Sequence, residues 1–219
     1  MVDYESLATS DAFKAWCSYA TELQRVQLQP MSYNAKIALI INLYNMLLVH
    51  GFIAIGPPMT HQQRMHFWNH TAYAISGMVF SLQDIHHGVL RANRKPPHAY
   101  LRVFSVRDER ARLAAVVWDP RIHFALNHGT KGSPRLRVFT PEGLDAQLDN
   151  AVRAYLGRTV EVQALGPVNP LRAEGGLKVT LPAVFETFKE DFGGDEATVL
   201  RWVAQYVPQK DQILECVGR

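Results

Sequence analysis

At 219 residues, 47% hydrophobic and 20% charged, the chain has the size and composition of a packed globular protein that needs no staples to bury a core. Its 23 basic and 20 acidic residues leave a net charge of +3, and even the densest basic stretch, Leu90 to Arg112, is interrupted by Asp108 and Glu109, which argues against a nucleic-acid clamp. Two cysteines, Cys17 and Cys216, exclude a disulfide framework and suit a reducing compartment. The acidic, polar N-terminus is unlike a secretory signal, so a cytoplasmic location is expected.

The predicted elements follow in chain order. Residues 11–24 carry Phe13, Trp16, Ala20 and Leu23 at helical spacing. A longer helix runs from about Ser32 to His50, with Gly51 in the position expected after a last turn. It is apolar nearly all round and should lie centrally, covered on most sides. Asn42, Asn45 and His50 within it would be costly in lipid, so no membrane span is expected. Gly56-Pro57-Pro58 ends this region. Residues 72–80 read as a hairpin or two short strands around Gly77. Ser81 to Asp84 form a capping box that opens a helix over 82–92.

Asp119-Pro120 starts another helix, running to about His128 and stopped by Gly129. Arg135 to Phe139 is strand-like. Thr140-Pro141 opens a further helix with Leu144, Leu148, Val152 and Tyr155 on one stripe, ended by Gly157. Short strands at 160–164 and 177–181 flank a Pro/Gly-rich loop at 166–176. Two helices close the sequence at about 182–192 and 195–207, the first with Val184, Phe185, Phe188 and Phe192. The sum is an α+β fold: a mostly helical single domain over 31–208 around a small β-sheet, with a buried central helix near 32–50. A helical extension, 1–30, precedes it and a tail, 209–219, follows.

Chemistry concentrates in three places. Asn42 and Asn45 lie roughly 60° apart on the central helix. Buried amides must meet their hydrogen bonds, either by locking a crossing chain or by orienting a ligand. On the helix after Ser81, His86 falls near the apolar stripe and His87 at its edge beside Arg91. A boundary imidazole next to a guanidinium suits a neutral base at pH 7. On the third, His123 and Asn127 share a helical face while His128 points roughly 140° away, which disfavours one metal between the two histidines. No Cys-x-x-Cys, His-Glu-x-x-His or acidic calcium loop occurs, and no glycine pattern matches a phosphate loop, so neither metal nor cofactor is expected.

The segments INLYN, SLQDIHHGVLR, DPRIHFALN, TPE-x-LD-x-QLD and LP-x-x-F-x-x-x-x-EDFG, in this order, resemble domain-of-unknown-function family 547 over roughly residues 34–206. The resemblance implies a portable domain, found in bacterial proteins and as a module of larger eukaryotic chains. Relatives usually carry an acid where this chain has His86. Many bacterial relatives read CG-x-x-S-C-P where it has His128, Gly129, Gly132, Ser133 and Pro134, so both cysteine positions are lost. A cysteine nucleophile with a histidine base is the natural reaction class for that motif.

Two expectations follow for this chain. One is a hydrolase or acyl-transferase-like site, weakened or inactive, with His87 as base, Ser133 as nucleophile, and Arg91 and the 129–133 backbone stabilising charge. There Asn42 orients the catalytic groups, while Asn45, His86, His123, Asn127, His128 and Gly129 line the site. The other is a non-catalytic protein-interaction or scaffold domain in which these residues are structural locks. The partner expected is a small molecule or a protein, not a nucleic acid.

Overall fold

The computed structural model of the protein describes residues 4–97, 99–115, 117–169 and 172–217. It is mostly helical, with two small two-stranded antiparallel sheets. The chain divides into two compact units, residues 1–144 and 145–219.

In the first unit, α1 (Tyr4–Thr9) and α2 (Asp11–Glu22) lead through a 3-10 turn, Leu23–Arg25, to the long α3 (Tyr33–Ile55). Ser10 and Ser32 cap α2 and α3 by accepting the amides of Phe13 and Ala35, satisfying donors that a helix start leaves open. α3 is the expected central helix: Ile37, Ile40, Ile41, Tyr44, Leu47 and Leu48 are among its buried residues. It is also long and apolar enough to cross a membrane by length and composition, and 67% of its most apolar window is buried inside the structure.

α3 does not stop at Gly51. It continues one further turn to Ile55 and ends at Gly56, whose φ of +81° is readily adopted only by glycine. Gly51 serves packing instead: a Cβ there would lie 2.7 Å from both the Phe67 ring and the Thr71 methyl. Phe67 belongs to α4 (His61–His70), a helix the sequence reading passed over. Its start is a reciprocal box in which Thr60 accepts from the Gln63 amide and the Gln63 side chain accepts from the Thr60 amide.

The hairpin is as expected. β1 (Ala72–Ile75) pairs with β2 (Met78–Ser81) through Ser76-Gly77, both at positive φ as tight hairpin turns require. The capping box follows: the Asp84 carboxylate accepts from the Ser81 amide at 2.9 Å, and Ser81 Oγ accepts from the Asp84 amide at 3.1 Å. The helix it opens is wider than an α-helix. Arg91 N donates to His86 O and Asn93 N to Gly88 O, each five residues back, so residues Asp84–Leu90 form a π-helical segment.

Beyond it, Asp119 caps a short 3-10 helix, Pro120–Phe124, which ends well before His128. Residues 135–139, expected as strand-like, form no strand.

In the second unit, α5 (Leu144–Thr159) runs past Gly157, where nothing lies within 4 Å of an added Cβ. β3 (Glu161–Asn169) and β4 (Arg172–Thr180) form a longer, irregular hairpin than the two short strands expected; Pro170 and Leu171 of the anticipated loop lie outside the described residues. The helices of 182–207 are α6 (Val184–Thr187), a 3-10 turn at Lys189–Phe192 and α7 (Glu196–Ala204). The expected tail contains α8 (Lys210–Val217), with Gly218 and Arg219 outside the described residues.

Candidate functional site

The histidines of the two motifs converge. His86 and His87 stack at 4.2 Å between ring centroids on the π-helical segment. His123 meets the His86 ring edge-on at 5.7 Å, and His128 lies 5.4 Å from it. Convergence is possible because the chain leaves the helix after Phe124, so the 140° separation of a regular helix does not apply. Asn45 enforces this path: its Nδ2 donates to Ala125 O at 3.0 Å and its Oδ1 accepts from Asn127 N at 3.0 Å.

Tyr44 and Trp118 complete the cluster, and neither stood out in the sequence. Tyr44 Oη lies 3.0 Å from His128 Nδ1, and its ring is 6.0 Å from that of His86. Trp118 packs on His123 at 5.2 Å, with the Arg91 guanidinium 5.8 Å from the indole centre. Two cues were present in the sequence: Tyr44 neighbours Asn45 on the same helix, and Trp118 immediately precedes the Asp119-Pro120 helix start.

Arg91 Nη1 lies 2.7 Å from His87 Nδ1 and donates to Lys95 O at 3.0 Å. A guanidinium only donates, so His87 Nδ1 is the acceptor and the ring is neutral with its proton on Nε2. His86, His87, Arg91 and His123 are all buried, between 2% and 6% exposed. Burial, reinforced by His87, His128, His123 and Arg91, holds the His86 imidazolium far out of favour. Burial and His123 bring the His128 pKa down to about 4. Burial pushes the Tyr44 phenol well above its ordinary range, so it keeps its proton. His86, His87 and His128 are therefore neutral rings at pH 7, packed by face and edge with His123. Among the described residues, no group of three His, Cys, Asp or Glu side chains is placed to hold a metal ion.

Ser133 sits in the loop beyond His128, where its hydroxyl is occupied. Ser133 Oγ accepts from the amides of His128 at 3.1 Å and Thr130 at 3.0 Å, and lies 2.9 Å from Thr130 Oγ1. Asn127 closes the same loop: its Oδ1 accepts from Gly129 N and its Nδ2 donates to Pro134 O, both at 2.7 Å. Three amides of the anticipated 129–133 oxyanion hole, at 129, 130 and 133, thus already have acceptors inside the loop. Gly129 has φ +69°, and a Cβ there would run into the Phe52 ring. Asn42, on α3, holds a different part of the chain, gripping the backbone amide and carbonyl of Phe139 at 3.0 and 2.8 Å.

A model of a family described as a protein of unknown function, DUF547, matches residues 28–156, more than half of the chain. The chain belongs to that family. The matched span contains His86, His87, His123, His128 and Ser133, while the LP-x-x-F-x-x-x-x-EDFG segment lies beyond it. No curated protein and no solved structure matches the chain.

Proposed function

We propose that this chain is a non-catalytic DUF547 domain that works by binding. In this reading the motif positions have been turned to structural use. The observation that carries it is the Ser133 hydroxyl: it accepts the amides of His128 and Thr130, so the candidate nucleophile takes up one of the candidate oxyanion donors itself. A serine that attacks a carbonyl needs a base on its proton and amides free for the oxyanion. His87, the candidate base, is instead engaged through Nδ1 by Arg91 in the core.

The binding half of the proposal is supported by a surface groove of about 710 Å³ lined by Ile55, Pro57, Pro58, Met59, Met65 and Phe67 among others. Ile55, Met59 and Met65 are 68%, 83% and 49% exposed. Grouped exposed apolar side chains of this kind mark interaction surfaces, and methionine adapts to varied partners. The test is hydrolysis of a panel of activated esters and thioesters by the parent protein and its Ser133→Ala and His87→Ala variants. Rates at the uncatalysed background in all three are expected. Turnover by the parent protein that is lost in either variant would overturn the proposal.

A further inference from the structure

A cysteine and a histidine meet away from the histidine cluster and the Ser133 loop. Cys17, on α2 and half-buried, has its Sγ 3.9 Å from His50 Nε2 on α3. His50 Nδ1 lies 2.9 Å from Tyr73 Oη on β1, and the Trp16 indole N–H donates to that same oxygen at 2.9 Å. The Phe13 ring meets the imidazole edge-on at 5.2 Å, fixing its plane. Nucleophile, base and a third group orienting the base are thus in line, the arrangement by which proteins activate a thiol. His50 and Tyr73 also border a cavity of about 270 Å³, lined further by Leu47, Gly51 and Ala54.

We propose that Cys17, His50 and Tyr73 form a thiol site that reacts once per chain with hydrogen peroxide. The Cys17 thiol gives its proton to His50 Nε2, and the resulting imidazolium donates its Nδ1–H to the Tyr73 oxygen. The thiolate sulfur attacks one peroxide oxygen; the S–O bond forms as the O–O bond breaks, and the Nε2 proton passes to the departing hydroxide. The products are Cys17 sulfenic acid and water, with sulfur oxidised and peroxide reduced. Burial lowers the His50 pKa, so the ring is neutral at pH 7 and free to take a proton. Burial likewise raises Tyr73 to about 12, which keeps the phenol protonated throughout.

The experiment uses the full chain with Cys216→Ser, treated with hydrogen peroxide at pH 7 and trapped with dimedone, read by intact mass. The parent protein is expected to gain one adduct at Cys17, formed at least about tenfold faster than with N-acetylcysteine. His50→Gln should bring the rate down to that of the free thiol. Tyr73→Phe, which keeps the ring and removes the anchoring oxygen, should slow it about threefold or more, and serves if His50→Gln does not fold. A parent rate equal to that of N-acetylcysteine, or an unchanged rate in either folded variant, would overturn the proposal.

Discussion

Asparagine is the side chain this protein uses to hold its irregular segments. Asn42 grips both polar groups of Phe139, and Asn93 does the same to Phe104. Asn45 bridges Ala125 and Asn127, and Asn127 bridges Gly129 and Pro134. An amide offers one acceptor and two donors, so it can present to a passing chain what a neighbouring strand would. Residues 135–139 look like a strand in sequence yet pair with no strand, because a side chain supplies the partner. Removing one side of a buried pair leaves the other unmet, at about 1–3 kcal/mol per group. Asn45→Ala, at 5% exposure, is therefore expected to lower unfolding free energy by about 2–4 kcal/mol in urea denaturation. Asn45→Asp should cost at least as much, because a carboxylate oxygen would then face the Ala125 carbonyl in the core; a loss under about 1 kcal/mol in Asn45→Ala would count against the clamp.

At the scale of elements, the legible parts are those announced by local chemistry. The capping box at Ser81, the Ser76-Gly77 turn and the Asp119-Pro120 start each act within four residues, so the sequence carries their full cause. Helix ends were less legible because glycine has two uses. Gly51 reads as a terminator, yet it makes room for Phe67 and Thr71 across the α3–α4 contact, a partner fifteen to twenty residues away. Gly51→Ala should accordingly cost about 1–3 kcal/mol through overpacking, whereas Gly157→Ala, in open space within α5, should stabilise by about 0.5–1 kcal/mol. Thermal melts of the two variants shifting in the same direction would contradict these roles.

α4 went unseen because HQQRMHFWNH buries only Phe67 and carries almost no amphipathic signal, although its Thr60–Gln63 box was there to be read. The π-helical widening after Asp84 has no comparable local signature. That widening, with the exit of the chain after Phe124, is what brings the two histidine motifs together.

At the scale of the whole molecule, buried neutral histidines make stability depend on pH. His86 and His128 have folded pKa values below the unfolded value of about 6.5. The unfolded chain therefore binds protons first as pH falls. Their contribution is fully present above about pH 6.5 and declines as pH falls, towards pH 4 for His128. The loss approaches about 1.4 kcal/mol per pH unit for each histidine. Urea midpoints should fall steadily from pH 7 to pH 4.5, and His128→Gln should flatten the slope by about one proton. A parent profile that stays level across this range would contradict burial of the neutral rings.

The histidine cluster and the Ser133 loop bear on one proposal, that the motif positions serve structure in this chain. Labelling by a fluorophosphonate probe, read by intact mass and peptide mapping, tests that claim without any guess about substrate. Ser133 is expected to stay unlabelled under conditions that fully modify a serine hydrolase, because its hydroxyl is engaged by the loop. A stoichiometric adduct on Ser133, abolished by His87→Ala, would contradict it.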